Sequence, residues 1–70
     1  MAAAQWSAVE ALVKDWFDAG QNPDRGDLID LAYAKNADDD VIDAIDTLGP
    51  RPIESLVSLK EQLTKNGALA

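Results

Sequence analysis

Asp24-Arg-Gly-Asp-Leu-Ile-Asp-Leu-Ala-Tyr-Ala-Lys-Asn-Ala-Asp-Asp-Asp-Val-Ile-Asp-Ala-Ile-Asp-Thr-Leu48 is the stretch whose reading decides the fold. Leu28, Ile29, Leu31, Ala32 and Tyr33 recur at helical spacing, Lys35-Asn36-Ala37 interrupts the pattern, and Val41, Ile42, Ala44, Ile45 and Leu48 resume it. Two short helices joined by a tight link satisfy that pattern, because neither apolar run alternates as a strand would. Asp38 is placed to cap the later helix, its carboxylate accepting from free N–H groups of the first turn, with Asp39 and Asp40 beside the positive end of the helix dipole. The earlier helix is apolar over more than half its circumference, which predicts a central element packed between neighbours. Tyr33 falls at the edge of that arc, ring inward and hydroxyl toward water.

Outward toward the N-terminus, Gly20-Gln-Asn-Pro-Asp-Arg-Gly26 concentrates turn-forming residues and predicts a loop. It lacks the lysine and glycine pattern of a phosphate-binding loop. Before it, Trp6, Val9, Leu12, Val13, Trp16 and Phe17 cover an arc of about 140° at 100° per residue, an amphipathic helix ended by Gly20. Ser7 and Glu10 have capping-box spacing, although Trp6 keeps the helical phase and argues for an earlier start. Toward the C-terminus, Gly49-Pro50 stops the third helix. Pro52 then suits the first turn of a fourth, in which Ile53, Leu56, Val57, Leu59 and Leu63 cover about 160°. Lys65 and Gly67 mark its end, and the tail from Ala68 is expected to fray.

The expected fold is therefore all-α, a small compact bundle of four short helices in a single domain over 1–70, with helices near 5–19, 25–36, 39–48 and 52–66. Helices one, two and four are expected to flank or cap the third. The expected core is Val9, Leu12, Val13, Trp16, Phe17, Leu28, Ile29, Leu31, Ala32, Val41, Ile45, Leu48, Leu56, Val57 and Leu63. A chain of 70 residues buries only about 60% of its unfolded surface, so tight packing or a partner must supply stability.

Composition narrows the chemistry. The chain has neither cysteine nor histidine, which removes disulfides, the common zinc sites and Cys- or His-based catalysis. Against 6 basic residues stand 13 acidic ones, all but Glu10, Glu54 and Glu61 aspartate, for a net charge of −7. Phosphate backbones and anionic membranes repel such a surface, so neither direct nucleic-acid binding nor membrane binding is expected. A helix-turn-helix built from the second and third helices would present Asp39, Asp40, Asp43 and Asp46 to phosphate. Asn36, Asp38 and Asp40 imitate the first ligands of a calcium loop, but Val41 stands where the loop needs glycine and Thr47 where it needs glutamate. Glu54-Ser55-Leu56 echoes a carrier-protein attachment site, yet too few residues follow for the helices such a domain needs. Asp43 and Asp46, one turn apart, read as solvated charges rather than an acid/base pair. No cofactor, metal site or catalytic residue is assigned, and no enzymatic activity is expected. The opening Met-Ala-Ala-Ala-Gln-Trp has neither the basic flank nor the apolar run of a leader, and a cytoplasmic location is expected.

Gly20, Pro23, Asp27 to Ala32, Lys35 to Ile45 and Leu48 together resemble the bacterial family designated domain of unknown function twenty-seven ninety-five, over about residues 20–48. Its members tend to carry a Gly…Pro approach, a Leu-Ile-x-x-Ala helix, an Asn-(Gly)-Ala-Asp link and a Val-Leu-x-x-Leu helix. Asn22 and Pro52-Ile53 stand where the family often has aromatics, and the Trp-rich first helix lies outside the resemblance. The resemblance implies a small, soluble, all-helical bacterial module, and carries no activity with it.

The function expected from the residues is a non-catalytic acidic module for protein interaction or regulation, with a basic protein partner. Its contact residues are expected among Trp6, Trp16, Asp39, Asp40, Asp43 and Asp46, since aromatics and charge complementarity govern docking. Homodimerisation through the first helix is the linked expectation. The alternatives are an acidic mimic occupying a partner's DNA-binding face and a carrier-type or small-molecule-binding domain.

Overall fold

The computed structural model describes residues 3–70, and these fold into four helices: α1 (Trp6–Asp18), α2 (Arg25–Ala34), α3 (Asp39–Asp46) and α4 (Leu56–Lys65). The all-α fold read from the sequence is the observed one. The radius of gyration is 10.6 Å, close to the roughly 11 Å of a compact chain of this length. Among the described residues no helix is long and apolar enough to cross a membrane.

Punctuation at the helix ends fixes the boundaries. Asp24 forms a reciprocal capping box: its carboxylate accepts from the Asp27 N–H at 2.9 Å, and the Asp27 carboxylate accepts from the Asp24 N–H at 3.2 Å. Three helices end in the same way. Gly20 (φ +81°), Asn36 (φ +54°) and Gly67 (φ +70°) each take the left-handed conformation. Each donates its N–H to a carbonyl three residues back, while the next residue reaches a carbonyl five back: Gln21 to Trp16, Ala37 to Ala32, and Ala68 to Leu63. This is the Schellman arrangement, which satisfies carbonyls the helix leaves free.

Several sequence expectations are corrected. Asp38 occupies the N-cap position of α3, but its carboxylate makes no cap hydrogen bond. Gln5, not Ser7, precedes α1, also without a side-chain cap, so the Ser7–Glu10 box does not set the start. The fourth helix begins at Leu56 rather than at Pro52. Ser55 caps it, its hydroxyl accepting from the Ser58 N–H at 3.1 Å. Pro50 and Pro52 each disfavour helical backbone in the residue before them, and the Ile53 N–H donates instead to the Pro23 carbonyl at 2.8 Å. Ile53 is thereby buried as part of a linker. Removing Ile53 from the helical face also accounts for Val57, assigned to the core but 67% exposed. The face then closes around Leu56, Leu59 and Leu63, with Val57 about 130° from its centre.

The core is apolar throughout: Val9, Val13, Leu28, Ala32, Ile45, Leu59 and Leu63 are sealed from solvent or nearly so, and no polar or charged residue among those described is buried. Trp6, Leu12, Trp16, Phe17, Ile29, Ile42 and Leu56 pack against this core while remaining partly exposed. Tyr33 is 65% exposed, so its ring is not tucked inward. The third helix is not the hub: α2 packs on α3 and α1, and α1 packs on α4. Leu48, beyond the end of α3, completes the core at its foot.

The C-terminal tail is pinned, not frayed. The Ala4 N–H donates to the Ala68 carbonyl at 3.0 Å, and the Ala70 N–H donates to the Ala4 carbonyl at 2.8 Å, an isolated parallel bridge between Ala4 and Leu69. Ala4 and Ala68 are both buried. Small alanine side chains let the two backbones approach closely enough to exchange these bonds.

Candidate functional site

The six residues singled out as contacts do not form one surface. Trp6 and Trp16 are ten positions apart on α1, about 15 Å along the axis and about 80° around it. Val9 and Val13, fully buried, run between them. Trp6 therefore lies on one flank of the helix, where Lys60 of α4 holds its ammonium 5.7 Å from the ring centroid. Trp16 lies on the other flank, toward α2 and α3.

On α3, Asp39, Asp43 and Asp46 recur at i, i+4 and i+7 and form one exposed stripe. Val41, Ala44 and Ile45 are buried on the opposite side, so the apolar face of this short helix points inward and the carboxylates outward. Asp40 leaves the stripe by about 100° and is only partly exposed. With Asp43 it borders a hollow of about 150 Å³ against the turn Asn66-Gly67-Ala68. There Asn66 donates from Nδ2 to both the carbonyl and the hydroxyl of Thr47, each at 3.2 Å, tying the end of α4 to the end of α3. No cluster of three or more Asp and Glu side chains among the described residues is arranged to hold a metal ion.

The larger of these two hollows brings together residues that the sequence pattern leaves apart. A groove of about 440 Å³ runs between α1 and the α2–α3 corner. Ala8, Ala11, Leu12, Asp15 and Trp16 form its α1 wall, a stripe at spacings of three and four residues about 12 Å long. Leu31, Ala37 and Val41 line the other side, and Lys35, Asn36 and Asp38 form its rim. The groove exists because Ala8 and Ala11 are too short to fill the space beside the corner. The sequence signal was the pair of alanines one turn apart ahead of Trp16, a pattern that also describes any ordinary solvent-facing helix. Asp38, with no cap bond to make, and Asp15 put two carboxylates at the groove. Compared with protein-family models, curated proteins and solved structures, the chain matches none.

Proposed function

We propose that this domain is a non-catalytic, cytoplasmic protein-interaction module that docks a basic protein partner. The observation that carries the reading is the stripe of Asp39, Asp43 and Asp46, exposed on the outer side of a helix whose inner side is fully committed to the core. Three like charges within two turns repel one another on an isolated helix, and a basic partner relieves that repulsion while gaining steering from a net charge of −7. The chain also lacks the imidazole and thiol groups that most often activate a nucleophile or move a proton near neutral pH.

The test is affinity capture from native lysate with the wild-type domain and with the triple variant Asp39→Asn/Asp43→Asn/Asp46→Asn, at low and high salt. The expected result is a basic protein held by the wild type at low salt and lost both at high salt and with the variant. Retention of the same proteins by the variant would sink electrostatic docking through α3. Return of only untagged copies of the domain would replace the basic partner with self-association.

A further inference from the structure

We propose that the groove between α1 and the α2–α3 corner receives a short amphipathic helix of a cationic partner, seating an aliphatic or aromatic side chain against Leu12 and Trp16 and a lysine or arginine near Asp15 and Asp38. This assignment rests on the interaction-module reading and adds to it a place and a partner chemistry.

Shape, backbone and charge argue for that occupant together. A groove of about 440 Å³ falls within the range of sites that bury a ligand's apolar surface. Its α1 wall, about 12 Å long, matches two turns of a docked helix and so two anchors three or four positions apart. A strand finds no template there, because the backbone of the α1 wall is committed to helix and strand addition needs an open sheet edge. The charge is complementary to a base: Asp15 stands on α1, Asp38 at the start of α3, and Lys35 alone opposes them at the rim. Asp38 is free to turn to an incoming cation because α3 does not use its carboxylate as a cap. Trp16, partly exposed at one end of the wall, has the amphipathic ring that anchors interfaces.

The probe is a short amidated leucine–lysine peptide with leucines at helical spacing, titrated into the full chain carrying Trp6→Phe so that Trp16 alone reports. A blue shift of Trp16 emission, with amide shifts in nuclear magnetic resonance at Ala8, Leu12, Ala37 and Val41, is expected. Ala11→Phe plugs the groove from an exposed helix position and should weaken binding by about tenfold or more. Asp15→Lys/Asp38→Lys reverses the two groove carboxylates, one on the α1 wall and one at the rim, while keeping Leu12 and Trp16, and should do the same. A peptide with glutamate replacing lysine should leave Trp16 emission unchanged. The proposal is overturned if both groove variants bind the peptide as tightly as the parent chain, by shifts confined to Asp39, Asp43 and Asp46, or by no binding at low salt. It is separable from the broader reading: a lysate partner retained by Ala11→Phe but lost by the α3 variant removes the groove and leaves the module.

Discussion

Trp6 and Trp16 sit on the same helix, both partly exposed, and close against different neighbours. Trp6 meets α4, where the Lys60 ammonium lies 5.7 Å from its ring centroid. Trp16 meets the α2–α3 corner, where Ala11 and Ala37 leave the groove open beside it. Helical period alone gives the two rings equal standing, since both border the buried line of Val9 and Val13. What separates them is the size of the side chains supplied by the facing elements, which are distant in sequence. A covered aromatic contributes to stability; an aromatic facing short side chains leaves apolar surface for a partner.

The most damaging way to test this asymmetry is to remove the support on the Trp6 side. Leu59 precedes Lys60 on α4 and is fully buried, so Leu59→Ala should cost about 2–5 kcal/mol by denaturant unfolding, a large share of such a domain's stability. A cost below about 1 kcal/mol would mean that the α1–α4 contact closes nothing.

Next in size are the rings themselves. A fully buried tryptophan truncated to alanine costs about 3–5 kcal/mol, part of it for the cavity left behind. Trp6→Ala should cost about 2 kcal/mol, since the ring is only partly buried but covered by α4. Trp16→Ala should cost about 1 kcal/mol, because its removal widens an existing groove instead of creating a void. Paired denaturant curves check this, and equal losses near the upper figure would make both tryptophans core.

The same asymmetry explains how much could be read in advance. The helices themselves were legible, because apolar period, Gly20 and the Asn36 turn are local signals. The buried alanines were not: Ala4 and Ala68 enter the core only through the bridge that joins the two ends, and nothing local marks a pairing across most of the chain. The start of α4 was missed for a related reason. Pro52 satisfies first-turn chemistry as well as linker chemistry, and the choice is made by the Ile53 N–H bonding to Pro23. The contact residues were legible as types but not as a surface, since the groove is made by Ala8 and Ala11, whose importance is the volume they do not fill.

Asp38 sharpens the groove side at smaller scale. Asp24 makes a two-way capping box, so Asp24→Ala should cost about 1 kcal/mol. Asp38 makes no cap bond, and Asp38→Ala should cost only about 0.3–0.5 kcal/mol, from lost interaction with the helix dipole. Thermal unfolding of the two variants side by side checks the difference. Equal losses would show that Asp38 is committed to α3 and not free for a partner.

The smallest effect concerns the lid on Trp6. Lys60→Met keeps the aliphatic stem and removes the charge, so it isolates the ammonium–ring attraction, about 0.5–1 kcal/mol at an exposed site. In a chain of net charge −7 the lost cation also adds long-range repulsion, which must be separated. At about 1 M salt the screening length falls to about 3 Å, and the repulsion is suppressed while the local contact with the ring persists. The cost of Lys60→Met should therefore survive high salt in the wild-type background and disappear in Trp6→Ala, the signature of a direct pair in a double-mutant cycle. Zero coupling would leave Trp6 with no lid of its own, and the first helix would then offer a partner two partly exposed tryptophans on separate flanks.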